Sequence, residues 1–194
     1  MSRNARFRQQ LQHATLMHAM SAHNPLSARL AADAGFDAIW GSGFELSASY
    51  AVPDANILSA GQHLDMMRAI AAAIDIPVIA DIDTGFGNAI NVAYAVPQYE
   101  AAGVSAVVME DKTFPKDTSL RADGRQELVR TEEFQGKIEA ACAARRDPDF
   151  CVIARTEALI AGLGQAEALA RASAYEAAGA DAILIHSKQT TPDE

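Results

Sequence analysis

Glu100-Ala101-Ala102-Gly103-Val104-Ser105-Ala106-Val107 reads as the end of a helix, a glycine that stops it and the start of a buried strand. The same phrase stands at Ala31-Ala32-Asp33-Ala34-Gly35-Phe36-Asp37-Ala38-Ile39 and at Glu176-Ala177-Ala178-Gly179-Ala180-Asp181-Ala182-Ile183. It returns at every second strand–helix unit, so the chain is a repetition of one supersecondary step. Short apolar strands alternating with helices predict a parallel sheet, and several units in this rhythm predict a (β/α)8 TIM-type barrel. The rival is a doubly wound open sheet. That fold usually carries a glycine-rich phosphate turn after its first strand, and none is present.

Working outward, residues Ser2 to about Gln12 read as a polar leading helix and Thr15 to Met20 as a first strand. Asn24-Pro25 supplies a cap and first-turn proline for a helix through Ala34. Ala38 to Trp40 is a second strand, followed by Gly41-Ser42-Gly43 and a loop through Asp54. Ser59 and Gln62 then form a capping box for a helix to about Ile74. Strand Pro77–Asp81 with helix Ala89–Ala102, in which Pro97 predicts a kink, makes the third unit. Strand Ala106–Glu110, a long loop and a helix capped by Thr131 make the fourth. Strand Cys151–Arg155 with helix Gln165–Ala178 makes the fifth, and strand Ala182–Ile185 opens a sixth.

A chain of 194 residues that is 49% hydrophobic can bury a substantial core and reads as one barrel domain over 1–194. A complete barrel takes about 250 residues, so the reading is of a barrel truncated after its sixth strand and lacking two units. The net charge of −9 argues against nucleic acid and anionic membrane as partners. Two cysteines without metal-ligand spacing, no signal peptide and no membrane-length apolar run predict a cytoplasmic protein.

In this fold active sites gather at the C-terminal strand ends. The second strand ends in Ser42-Gly43, the third in Asp81 and Asp83, the fourth in Glu110 and Asp111, the fifth in Arg155 and the sixth in His186. Strand periodicity predicts that Asp81 and Asp83 share a face. With Glu110 they present the oxygen-rich surroundings that Mg²⁺ selects, although Asp-Thr-Gly is also turn chemistry and Glu110 can instead pair with Arg155. Arg155 reads as a phosphonate or carboxylate clamp, or as half of a buried salt bridge. His186 reads as an anion contact or a core histidine, and the other four histidines as structural or solvated. Ser42-Gly43-Phe44 offers backbone N–H groups to a carboxylate. The charged loop from Asp111 to about Arg130 is long enough to be a lid, with Lys116 on it.

Glu110-Asp111-Lys112 with Pro115-Lys116 and Ser119-Leu120, following Trp40-Gly41-Ser42-Gly43 and Asp81-Ile82-Asp83-Thr84-Gly85-Phe86-Gly87, resembles the phosphoenolpyruvate mutase and isocitrate lyase superfamily. The resemblance runs from about Leu16 to the last residue. It implies a barrel, Mg²⁺ (or Mn²⁺ or Co²⁺), a small anionic keto-acid substrate and a homo-oligomer, dimer or tetramer. Carried over by position, Asp81 would hold the metal directly, and Asp54, Asp83 and Glu110 its waters. Ser42, Gly43 and Phe44, beside Trp40, would contact the substrate carboxylate, and Arg155 and His186 the phosphonyl group. Lys116 and Thr118 would close over it. The family's carbon–carbon lyases use a lid cysteine, which this loop lacks. Its mutases usually carry Asn where Thr118 stands, so the expected reaction is hydrolysis of the P–C bond of phosphonopyruvate. The alternatives are phosphonopyruvate/phosphoenolpyruvate isomerisation and an inactive fragment.

Overall fold

A computed structural model describes residues 1–13, 16–121 and 123–191. Its strands are β1 (Ala19–Ala22), β2 (Ala38–Gly41), β3 (Val78–Asp81), β4 (Ala106–Glu110), β5 (Cys151–Thr156) and β6 (Ala182–Ile185). They form one sheet in the order β1-β2-β3-β4-β5-β6, every adjacent pair parallel. A doubly wound sheet reverses its strand order at a switch point. Strict sequential order therefore selects the barrel-type winding, here six strands of it. Helices α1 (Arg3–Gln12), α2 (Pro25–Asp33), α3 (Gly43–Ser49), α4 (Ala60–Ala73), α5 (Ala89–Ala101), α6 (Thr131–Ala144) and α7 (Gly164–Ala177) complete the description. The outer ones pack in sequence, α2 on α4, α4 on α5, α5 on α6 and α6 on α7.

Strand alternation divides the core into two layers. Ile39, Val78, Ala80, Val107, Met109, Val152 and Ala154 face the helices. Ala38, Ile79, Ala106, Val108, Cys151 and Ile153 face the inside of the curl, where Trp40, Ala182 and Leu184 pack against them. Phe7, fully buried, joins this inner layer and makes α1 a plug under the strands. Arginines fasten it: Arg3 donates to the carbonyls of Ala71 (3.0 Å) and Ile74 (2.7 Å), and Arg8 pairs with Asp181 at 2.9 Å.

The three repeated glycines, Gly35, Gly103 and Gly179, all adopt left-handed backbone (φ +90°, +86° and +101°), the conformation a helix stop requires. Four expectations need correction. The first strand runs over Ala19–Ala22 rather than Thr15–Met20, because its register is set by pairing Ala19 with Ala38, while Met17 packs against the inner layer. Thr15 itself lies outside the described residues. The stretch after Gly41 is a helix, α3, because the Ser42 hydroxyl caps the Glu45 N–H at 3.1 Å. Thr131 is the first residue of α6 rather than its cap, since the Arg130 carbonyl already accepts from Phe134. Finally, β3 ends at Asp81, so strand alternation does not carry on to Asp83.

Candidate active site

The same inward alternation that builds the inner layer also places the chemistry. Continuing each inner row one step past its last apolar residue reaches Ser42 after β2, Asp81 on β3, Glu110 on β4, Arg155 on β5 and His186 after β6. These residues, unlike the apolar rows below them, bring charge to a buried place. Glu110 is 1% exposed, Asp81 6% and Asp83 8%. A cavity of about 180 Å³ opens there, lined by Trp40, Ser42, Phe44, Asp54, Asp81 and Arg155, by His186, and by Lys116, Thr118, Ser119 and Leu120 of the lid.

Asp83 reaches this cluster by a turn. Its backbone is left-handed (φ +52°), and its N–H donates to Asp81 Oδ1 at 3.2 Å. Gly43 permits the close approach, since a Cβ there would stand 3.0 Å from Asp83 Oδ1. Asn56, also left-handed at φ +55°, ties three segments together. Its amide donates to Asp83 Oδ2 at 2.9 Å, and its side-chain oxygen accepts the Lys116 N–H at 2.6 Å.

The lid folds back on itself through an antiparallel bridge between Lys112 and Leu128 and carries Lys116 into the acids. The Lys116 ammonium lies 2.6 Å from Asp83 Oδ1, 3.0 Å from Asp54 Oδ2 and 3.9 Å from Glu110 Oε1. Burial alone would lower its pKa, but the surrounding charges of Glu110, Asp83, Asp81 and Asp54 outweigh burial and raise it well above the ordinary lysine value. Burial pushes the Asp83 carboxyl up to about 7, with Lys116 opposing and Asp81, Glu110 and Asp54 adding to the rise.

Arg155 lines the same cavity and pairs with its acids. Its guanidinium sits 3.3 Å from Glu110 and 3.9 Å from Asp81, and its Nε donates to Glu157. Nη2 of Arg155 meets His186 Nδ1 at 2.7 Å, and the same Nδ1 lies 2.8 Å from Glu157 Oε1. Asp111 follows the opposite alternation and leaves the site. It faces α7, accepting from Tyr175 at 2.7 Å, Thr156 at 3.0 Å and Arg171 at 3.1 Å, so its role is structural.

The family model described as phosphoenolpyruvate phosphomutase matches residues 7–193. This chain belongs to the phosphoenolpyruvate phosphomutase family. It is 74% identical to the phosphonopyruvate hydrolase of Variovorax sp. (strain Pal2), over 100% of this chain and 67% of that protein. It is 47% identical to the phosphoenolpyruvate phosphomutase of Tetrahymena pyriformis, over 95% of this chain and 61% of that one. The crystal structure of a phosphonopyruvate hydrolase in complex with oxalate and Mg²⁺ superposes with a TM-score of 0.93 at 71% identity, covering 100% of this chain and 66% of that one. The chain thus spans about two thirds of the length of these relatives.

The donors of this phosphoenolpyruvate phosphomutase family member suit a hard divalent cation. All are carboxylate oxygens, and neither oxygen of buried Glu110 accepts a hydrogen bond. Four carboxylates, Asp54, Asp81, Asp83 and Glu110, face two cations, Lys116 and Arg155, which leaves a formal surplus of two negative charges. Among the described residues, however, no three acidic, histidine or cysteine side chains stand close enough to grip one ion between them. The arrangement therefore suits an ion that keeps much of its water, as Mg²⁺ does, better than a fully dehydrated one.

Asn56 and Glu157 are neighbours of this cluster to which the sequence reading assigned no role, and Lys112 was read only within the Glu110-Asp111-Lys112 motif. Glu157 had a signal, being two residues past Arg155 and so on the same face. Asn56 had none beyond its closeness to Asp54. His63, read as structural, is buried behind the site with Nδ1 2.8 Å from the Tyr99 hydroxyl.

Proposed function

We propose that this chain hydrolyses the P–C bond of phosphonopyruvate to pyruvate and phosphate, with Mg²⁺ (or Mn²⁺ or Co²⁺) in the acid cluster. The observation that carries the reading is the cavity itself. Asp54 and Asp81 line it together with Arg155 and His186, and Thr118 and Lys116 reach it from the 111–130 loop. The whole-chain identity of 74% to a phosphonopyruvate hydrolase, against 47% to a mutase, supports hydrolysis over isomerisation.

Asp81 would hold the metal, and Asp54, Asp83 and Glu110 would hold it through its waters. When bound, the metal supplies Lewis-acid stabilisation of the charge that develops as the P–C electron pair returns to the keto acid. Ser42, Gly43 and Phe44, beside Trp40, seat the substrate carboxylate. Arg155 and His186 hold the phosphonyl oxygens, so that this end is fixed while the bond breaks. Thr118 orients the water whose oxygen bonds to phosphorus. Lys116 delivers the proton that the departing carbon of pyruvate takes up. Positioning and electrostatics supply most of the rate.

The partner is therefore a small anionic keto acid, and the net charge of −9 disfavours nucleic acid. No helix among the described residues is long and apolar enough to cross a membrane. A cytoplasmic location fits the two free cysteines. Assembly as a dimer or tetramer fits the exposed apolar pairs Leu26/Leu30 on α2 and Ile90/Tyr94 on α5, and sedimentation velocity would measure it.

Phosphorus NMR of the chain with phosphonopyruvate and Mg²⁺ tests the reaction. The expected result is a phosphate resonance growing with pyruvate. A phosphoenolpyruvate resonance would indicate a mutase, and an unchanged substrate signal would defeat the enzyme reading.

A further inference from the structure

Glu157 stands immediately after β5, on the inward face, and is fully buried. It does not line the cavity and touches none of the four metal-site carboxylates. Its own backbone is fixed, since its N–H donates to Asp111 Oδ1 at 2.8 Å. Its two oxygens serve two different parts of the molecule. Oε1 accepts from Arg155 Nε and lies 2.8 Å from His186 Nδ1. Oε2 accepts from the hydroxyl of Ser119, on the lid, at 2.7 Å and lies 3.5 Å from Lys112 Nζ. Lys112 in turn donates to Ser119 Oγ at 2.7 Å and to the Asp117 carbonyl at 2.8 Å, so it fastens the lid segment on either side of Thr118.

Arg155 serves three carboxylates. Asp81 lies 3.9 Å from its Nη1, while its Nε is shared between Glu110, at 3.3 Å, and the closer Glu157. Without Glu157 the guanidinium Nε would be left to Glu110 alone, and His186 would lose the anion against which its ring is set. The lid would lose its hydroxyl anchor at the same time.

We infer that Glu157 is a positioning residue, one carboxylate that couples the seating of the Arg155–His186 pair to the seating of the lid. This rests on the function proposed above for the role of that pair, but the lid half of it does not depend on any activity.

The full chain carrying Glu157→Gln, Ser119→Ala or both tests the coupling. Glu157→Gln keeps the shape and removes the charge, whereas Ser119→Ala cuts only the lid arm. With phosphonopyruvate and Mg²⁺, Glu157→Gln lowers kcat/KM by about 10²-fold, the scale of a small misplacement of catalytic groups, and Ser119→Ala lowers it less. Without substrate, trypsin cuts after the exposed Arg121 and Arg125 of the lid several-fold faster in either variant. In the double variant it cuts no faster than in Glu157→Gln, because both changes break the same anchor. A merely structural residue would lower the melting temperature while leaving kcat of the folded protein intact, and that result overturns the inference. So does unchanged tryptic cleavage in Glu157→Gln, or additive cleavage in the double variant. Should Glu157→Gln not fold, Ser119→Ala alone decides: unchanged cleavage and unchanged kcat/KM refute the coupling. If the unmodified chain releases no phosphate, the proposed reaction fails, while the cleavage rates still decide whether Glu157 anchors the lid.

Discussion

The Lys116 ammonium stands 2.6 Å from Asp83 Oδ1, so a cation borne by the lid sits among carboxylates supplied by the strand ends and the Asp54 loop. In the protein without metal this ammonium limits the mutual repulsion of the acids. Replacing it as Lys116→Met leaves Asp54, Asp83 and Glu110 buried with one cation fewer. The expected cost is on the order of 3 kcal/mol in the metal-free protein. Added Mg²⁺ should then raise the melting temperature of the variant more than that of the unmodified chain. Thermal melts with and without Mg²⁺ check this, and equal shifts would show that lysine and metal do not answer the same charge.

Thr118 lines the cavity with its backbone N–H held by Asp117 Oδ1 at 3.0 Å, which leaves its hydroxyl as the part that can address a water. Thr118→Asn should lower phosphate release by roughly 10²-fold, the scale of losing a group that orients a proton-bearing nucleophile. It should also let phosphoenolpyruvate accumulate. Phosphorus NMR distinguishes the two products, and full phosphate release without isomerisation would remove Thr118 from the mechanism.

Asp111 is fully buried and accepts from Arg171, Tyr175, Thr156 and the Glu157 N–H. Asp111→Ala leaves Arg171 its Glu167 partner at 2.8 Å but removes the acceptor shared by Arg171, Tyr175, Thr156 and the Glu157 N–H, and should cost about 3 kcal/mol of folding free energy. Asp111→Asn, which keeps the shape and one acceptor, should cost less. Urea denaturation midpoints measure both.

Burial holds the His63 imidazole down at about 4 from its ordinary 6.5, with Asp81 pulling upward and Lys116 downward. The unfolded chain takes up this proton first, so the stability due to a neutral His63 is intact above about pH 6.5. It drains away as pH falls to about 4, by roughly 3 kcal/mol in all. Asp83, raised to about 7, acts in the opposite sense and gains stability as pH falls through that value. The difference between the unmodified chain and His63→Gln isolates the histidine. Urea unfolding at pH 7 and pH 4.5 should show the unmodified chain losing more stability than the variant.

What could be read from the sequence followed from local regularities. Glycine stops and apolar runs located β4 and β6 to the residue, and the strand ends pointed to Asp81, Glu110, Arg155 and His186. Asp83 was found for the wrong reason: a left-handed turn, not strand alternation, delivers it. Asn56 was out of reach, and Glu157 was legible only as a residue on the face of Arg155, because their importance lies in partners far along the chain. Asn56 binds Asp83 and Lys116, and Glu157 binds Ser119 and His186. Which side chain receives a lid lysine depends on how a loop closes, and no periodicity encodes that. The α3 helix, in contrast, was legible in Ser42 and Glu45, three residues apart, and was overlooked.

Because α1 packs Phe7 under the strands while the cavity lined by Asp81, Arg155 and His186 opens at their other ends, the two faces of the molecule can be engineered separately. Met1 is 86% exposed on the α1 side. A purification handle or immobilising tether attached there would leave the cavity at the strand ends unobstructed.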